Sequence, residues 1–394
     1  MPTRPPVVGP TIIVEPPIVE PPPPQTPTAT PTQTQVPTTT PTATPTQTQT
    51  TTAATPTQPS TTTLSRPPPP TVAPPQPSTT QPQQNVSTGP ATQVSSGPAD
   101  QMYPAISGDS IVWVLNDSQN ESLSVELYSI SSENTSTISD ATSVPLAMPY
   151  QLAIAENNAV WSGLNPQTGG TNIHLYDTAS GTLQQVTEDG PGMQLDPGVS
   201  QDYIIWTNLT NESSDVYLYE IANENITPMV SPLSYQMETA IGGNTTAWAD
   251  NTTGGGDFDI VVAPLGESNG TFLGDSGDER YPDVSSDGRY VAWISFLENR
   301  SAVYLYDVAE DNAIEITEES ARPDAVAVDG NLVVYSDMRT GNHDIYMYNV
   351  TNGTETPVTQ DQYDQSYPDV SNGEIVWMGN NTGRWEIYRL PAGG

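Results

Sequence analysis

A single unit recurs seven times in the second part of this chain, and that recurrence limits the fold more than any other feature. Its clearest copy, residues 366–390, reads SYPDVSNGEIVWMGNNTGRWEIYRL. A short strand ends near Ser371, a second runs through Val376-Trp377, and a polar turn leads to a third through Ile387-Tyr388. Apolar residues alternate with polar ones, the pattern of strands with unlike faces. The unit also stands at 281–307 (YPDVSSDGRYVAW…AVYLYD) and 322–350 (RPDAVAVDGNLVVY…HDIYMYNV).

The aromatic that closes the second strand falls at Trp113, Trp161, Trp206, Trp248, Trp293, Tyr335 and Trp377, at spacings of 48, 45, 42, 45, 42 and 42 residues. A period in the forties with about four strands per unit is the pattern of β-propeller blades. The third strand repeats an inward β-branched residue: Val125, Ile173, Val216, Ile260, Val303, Ile345 and Ile387. A fourth strand is expected at 184–187, 314–317 and 356–359. The seventh unit stops after its third strand, and residues 91–95 (ATQVS) resemble the missing fourth. The expected fold is therefore all-β: a seven-bladed β-propeller of four-stranded antiparallel blades, closed by an N-terminal strand. Closure removes the unpaired edges of an open array.

The YPDVS start, the aromatic-ended second strand, the DIY-like third strand and the ET-P-VT fourth strand together resemble the TolB-type propeller repeat. The resemblance covers residues 91–394; it is strongest in units five to seven and weakest in unit four (TAIGGNTTAW, DIVVAPL). Many TolB-type propellers have six blades, whereas seven units are counted here. The resemblance implies a scaffold for protein or glycan contacts, periplasmic or extracellular.

Composition divides the chain into a low-complexity segment, 1–88, and the propeller, 89–394. Residues 1–100 hold 27 of the 41 prolines, no Phe, Tyr or Trp, and only Arg4 and Arg66 as cations. Such a sequence cannot bury enough apolar surface to offset the entropy of ordering. The Pro/Thr/Gln tract reads as an extended stalk or tether and resembles the stalks of archaeal, particularly methanogen, cell-surface proteins. The apolar stretch 11–19 (TIIVEPPIV) has the character of a strand that adds to the sheet edge of another copy. Residues 1–24 do not read as an export signal, because prolines and Glu15 break the apolar run.

The net charge of −37 and the absence of Lys argue against nucleic acid and against an anionic membrane surface. No 18-residue apolar run is present, so no membrane insertion is expected. Without Cys there is no disulfide, thiolate metal site or cysteine nucleophile.

Candidate binding residues surround one mouth of the channel: Tyr103, Tyr281 and Tyr367, with Asp283, Asp324 and Asp369 following Pro at the inner-strand starts. They read either as turn caps or as an acidic, tyrosine-rimmed site for a cation or a basic group. Arg384 and Trp385 form a candidate recognition pair. Asp257, Asp259, Asp275, Asp278 and Glu279 supply the hard oxygen ligands that Ca²⁺ takes, without EF-hand spacing. His174 takes a slot held elsewhere by Tyr, and His343 reads as an exposed turn residue. Fourteen Asn-X-Ser/Thr sequons are candidate glycosylation sites: Asn85, Asn116, Asn120, Asn134, Asn208, Asn211, Asn225, Asn244, Asn251, Asn269, Asn299, Asn349, Asn352 and Asn380.

With no nucleophile–base constellation in view, the expectation is a non-catalytic, extracellular cell-surface module for structure, adhesion or self-assembly. Its partners are other copies, surface proteins or glycans, with no catalytic residue and no cofactor. The alternatives are a polysaccharide lyase or hydrolase acting at the channel mouth, or a TolB-like periplasmic partner-binding module.

Overall fold

The computed structural model describes residues 90–392, apart from 121, 141–145, 147–150, 211–212, 230–233, 253–255 and 275–276. The expectations for the stalk 1–88 and its strand at 11–19 lie outside the described residues. The rest is a ring of seven four-stranded antiparallel sheets, six of them ordered from inner to outer strand as the chain runs and the seventh taking its outer strand from the N-terminal side. The inner strands are Asp100–Ser107, Leu152–Ala155, Met193–Val199, Gln236–Gly242, Asp278–Val284, Pro323–Asp329 and Gln365–Ser371.

The ring closes as expected. Thr92–Gln93 pairs antiparallel with the last strand, Thr92 opposite Arg389 and Gln93 opposite Tyr388. The Ser95 hydroxyl then accepts the Ile387 N–H at 2.7 Å and donates to the Glu386 carboxylate at 2.9 Å. Thr187, Thr317 and Thr359 make the same bond to Ile173, Val303 and Ile345. Within 91–95, Thr92–Gln93 is thus a true fourth strand, and Ser95 supplies its hydroxyl cap. That cap also corrects the strand bounds. The outer strands are Thr182–Gln185, Asn312–Glu315 and Thr354–Pro357, about two residues earlier than the sequence suggests, because Thr187, Thr317 and Thr359 leave the ladder to bond through their side chains.

The core is not central but lies between blades. Seven apolar clusters each join two neighbours, the last uniting Ile106, Ile111 and Trp113 of the first blade with Val376, Met378 and Ile387 of the seventh. Second strands therefore bury both faces: Ile111, Val112 and Trp113 are all buried, as are Val333, Val334 and Tyr335. The expectation of unlike faces fails for these strands for that reason. The inward residue of every third strand, from Val125 to Ile387, is fully buried.

Opposite five of the seven second-strand aromatics stands a third-strand ring; Trp113 faces Glu126 and Trp248 faces Val261 instead. Trp206/Tyr217, Trp293/Tyr304, Tyr335/Tyr346 and Trp377/Tyr388 stack at 5.5–6.1 Å. His174 takes the same slot on Trp161 at 6.3 Å, and burial lowers its pKa to about 4. In unit four the Gly242-Gly243 pair has a steric reason. A side chain at Gly242 would strike the Ser285 carbonyl of the fifth blade, and Gly243 (φ 50°) lies equally close to Asp287.

Candidate functional site at the channel mouth

Five of the seven inner strands break at the same place. Two residues there oppose the single second-strand aromatic: Tyr103-Pro104, Asp196-Pro197, Glu238-Thr239, Tyr281-Pro282 and Tyr367-Pro368. The first residue of each pair is left-handed, at φ 56°, 52°, 58°, 55° and 50° respectively. This is a β-bulge, which re-aims a side chain and sharpens the local twist. A bulky residue with positive φ costs about 1–3 kcal/mol and persists only where the surroundings enforce it. Pro in second place costs nothing here, since the bulge residue donates no ladder bond.

The bulge residues divide into two kinds. The acids Asp196 and Glu238 reach across the blade boundary to the next inner strand, and Gln151, just before the unbulged inner strand of blade two, does the same. Gln151 accepts from the Asp196 N–H (2.8 Å), Asp196 from the Glu238 N–H (2.9 Å), and Glu238 from the Tyr281 N–H (2.9 Å). At Tyr281 and Tyr367 an Asp two residues on takes over; at Tyr103 that position is Ala105. Asp283 accepts from Val328 N–H and Asp369 from Ile106 N–H, both at 2.7 Å. Ser107 and Asp329 complete the circuit through Glu156 N–H and Asn372 N–H. All seven blade boundaries thus carry a side-chain-to-backbone clamp pointing the same way round.

With the clamping done by Asp283 and Asp369, Tyr281 and Tyr367 are released to the mouth, each 47% exposed. Tyr103 meets Tyr367 edge to face at 4.7 Å, and Tyr281 meets Phe296 at 6.2 Å. Phe296 ends a second strand, so the tyrosines open on the face where second strands end. Exposed Leu164 ends a second strand there, and exposed Tyr235, Met338 and Tyr363 lie between strands on that same face. Burial raises the Tyr367 phenol, and the nearby Tyr103, Asp324 and Tyr281 raise it further. Behind them the channel forms a cavity of about 570 Å³, walled by all seven inner strands.

The wall is acidic. Burial, then the Asp369 charge, pushes Asp283 up to about 7. Burial pushes Asp369 up to about 6 and raises Asp196 as well. Arg280, the cation at this rim, is committed: it pairs with Glu238 and lies over the Phe258 and Tyr281 rings at 4.8 and 5.5 Å.

Asp324 needs a correction. The sixth blade has a one-residue irregularity in place of the two-residue bulge, with Pro323 opposite Asp337 and Ala325 opposite Ser336. The shared Pro-Asp therefore sits three positions earlier, and Ala327 takes the place of Asp283 and Asp369. Asp324 instead accepts from the Ser336 hydroxyl and faces His343 Nε2 at 2.8 Å, its side chain 40% exposed beside Tyr367. His343 is accordingly half-buried and partnered, not a free turn residue.

The other candidates are dispersed. Arg384 is exposed; Trp385 packs on the core between blades seven and one, and its N–H donates to Asp100. Asp275 lies outside the described residues. Glu279 accepts from Trp293 and Ser295, and Asp278 from the Phe258 N–H. Among the described residues no group of three carboxylates or histidines is arranged to hold a metal ion. Of the sequons, Asn120, Asn134, Asn225, Asn244, Asn269, Asn299 and Asn352 are exposed; Asn116, Asn208, Asn251, Asn349 and Asn380 are half-buried; Asn85 and Asn211 lie outside the described residues.

The sequence reading passed over one recurrent bond. Gln101, Gln194, Glu279 and Gln365, two residues before the bulge, accept the indole N–H of Trp113, Trp206, Trp293 and Trp377. The signal was a Gln or Glu twelve or fourteen residues before the aromatic.

No family model matches the chain, and no curated protein matches it in sequence. Solved structures do. The β-propeller domain of the Trilobed protease from Pyrococcus furiosus aligns with a TM-score of 0.57 at 11% identity, over 74% of this chain and 93% of that one. That domain has an open velcro topology, whereas this ring is closed by the 92–93 strand. An oligogalacturonate lyase in complex with manganese gives 0.57 at 12% identity, over 77% and 94%. TolB from Acinetobacter baumannii gives 0.48 at 15%, over 66% and 67%. The protease and the lyase correct one expectation: the same architecture occurs in enzymes, so the absence of a familiar nucleophile–base pair does not make this chain a non-enzyme. At these identities the comparisons establish the fold, and the chain is a seven-bladed β-propeller.

Proposed function

We propose that this protein is a cell-surface propeller that engages a partner through the tyrosine-lined mouth, taking a basic group of that partner into the acidic channel. One observation carries the reading: three left-handed tyrosines crowd one mouth, and at two of them a separate Asp performs the blade-to-blade clamp. Backbone strain of this kind collects at ligand clamps. Phenol faces attract a guanidinium or ammonium group, and Asp324 and the channel acids offer it a counter-charge. Export to the surface on a Pro/Thr stalk, as in archaeal surface proteins, is supported by the sequons that stand exposed in the turns.

N-acetyl-arginine amide and N-acetyl-lysine amide, titrated into the full chain by calorimetry, test the reading. At least one is expected to bind in one-to-one stoichiometry and to lose about tenfold in affinity with Tyr281→Ala or Tyr367→Ala. Absence of binding by both, or binding that ignores both tyrosines, contradicts it.

A further inference from the structure

We infer that the mouth selects arginine over lysine, laying a partner's guanidinium flat on the Tyr367 ring with its N–H fork on Asp324. This rests on the reading of the mouth as a site for basic groups and names the group. The protein carries a filled precedent for such a seat at another blade boundary.

The precedent is Arg280. Its guanidinium lies over the Tyr281 ring at 5.5 Å and the Phe258 ring at 4.8 Å. It forks onto Glu238, an acid on the inner strand of the preceding blade. Glu238 also accepts the Tyr281 N–H. A left-handed tyrosine and an inner-strand acid from the blade before it thus make a guanidinium seat. In blade five the chain fills that seat itself.

Blade seven repeats the seat without the arginine. Tyr367 is left-handed and exposed like Tyr281. Asp324, on the inner strand of blade six, lines the same cavity. Arg280 stands opposite Ile294, next to Trp293; the same register place in blade seven, opposite Met378 and next to Trp377, holds Ser366. That place therefore brings no cation to Tyr367. Arg322, two residues before Asp324, donates to the Glu319 and Ala321 carbonyls instead.

Asp324 is set for a fork. Its Oδ1 accepts from the Ser336 hydroxyl, and its Oδ2 faces His343 Nε2 at 2.8 Å. A carboxylate oxygen accepts about two hydrogen bonds, so a place is left on each. Two parallel N–H groups of a guanidinium fill both at once, whereas an ammonium is a point charge. A guanidinium is also the more weakly hydrated cation, so resting its face on a phenol ring costs less desolvation. Deeper in the channel, Asp283 and Asp369 already accept backbone N–H groups, and burial disfavours their charge. The counter-charge is thus at the rim.

N-acetyl-arginine amide and N-acetyl-lysine amide, titrated by calorimetry into the full chain and into Asp324→Asn, Tyr367→Leu and Tyr367→Phe, test the inference. Arginine is expected to bind about tenfold tighter than lysine. Asp324→Asn and Tyr367→Leu should each bring arginine down to near the lysine affinity. Tyr367→Phe, which keeps the ring face, should keep the preference. Thermal melts establish the fold of each variant; if Asp324→Asn does not fold, Tyr367→Leu against Tyr367→Phe decides. Lysine binding as tightly as arginine, or tighter, overturns the selectivity and leaves the wider reading standing. So does a preference that survives in a folded Asp324→Asn or Tyr367→Leu chain, since the guanidinium then sits elsewhere in the mouth. If neither amide binds, both fall.

Discussion

At the scale of the residue, Asp283 and Asp369 hold the blades together from positions that disfavour their charge. Each accepts a backbone N–H from the neighbouring blade, and burial lifts both carboxyls, Asp283 to about 7 and Asp369 to about 6. A carboxyl raised above its unfolded value of about 3.9 contributes stability that is complete below that value and is lost as pH rises through the folded pKa. Thermal stability is therefore expected to fall from about pH 4 to about pH 7. Asp283→Asn keeps an acceptor for Val328 without the charge, and should flatten that fall. Asp283→Ala leaves the amide unpaired and should cost about 1–3 kcal/mol. His174 acts in the opposite sense. Its pKa, lowered to about 4 by burial, gives stability that is complete above about 6.5 and is lost as pH drops toward the folded value. His174→Tyr, which restores the ring found in blades three, five, six and seven, should remove that acid-side loss and leave the opposing fall due to Asp283 and Asp369 in place. The two contributions oppose each other between about pH 4 and 6.5, and each substitution removes one of them.

At the scale of the element, the blade was legible where its residues are few in kind and evenly spaced. The aromatic on each second strand and the branched residue on each third could be read directly, because burial on both faces admits little else. The bulge was not legible. A left-handed position usually announces itself with Gly, and here it holds Tyr, Asp or Glu, whose strain is borne by tertiary contacts. The same gap misplaced Asp324: the Pro-Asp dipeptide matches in sequence, but a shorter irregularity moves it along the strand. Likewise the Gln-to-Trp bond spans elements that sequence alone does not align. Gln365→Leu strands the Trp377 indole N–H in the core and should cost about 1–3 kcal/mol, read by denaturant unfolding. Gly242→Val forces the inner strand of blade four away from Ser285. Its cost should exceed that of Gln365→Leu in the same experiment, since the obstacle is backbone.

At the scale of the whole molecule, seven cores and seven clamps form a closed circuit in which no blade is structurally first. The closing strand is short, so Ser95 bears an unusual share of the seam through its bonds to Ile387 and Glu386. Ser95→Ala is expected to raise hydrogen exchange at blades seven and one before any other pair, because local opening starts where contacts are fewest. The fold could be inferred from the sequence because a ring needs repetition. The site could not, because it comes from a break in that repetition: three tyrosines where other blades place a clamp. The claim that these tyrosines serve binding and not folding is tested most directly by Tyr281→Gly and Tyr367→Gly in one chain. Glycine relieves the left-handed strain and gives up the ring contacts, so the melting temperature should stay within about 4 °C of the unaltered protein while N-acetyl-arginine amide binding disappears. A large loss of melting temperature with binding retained would contradict the account.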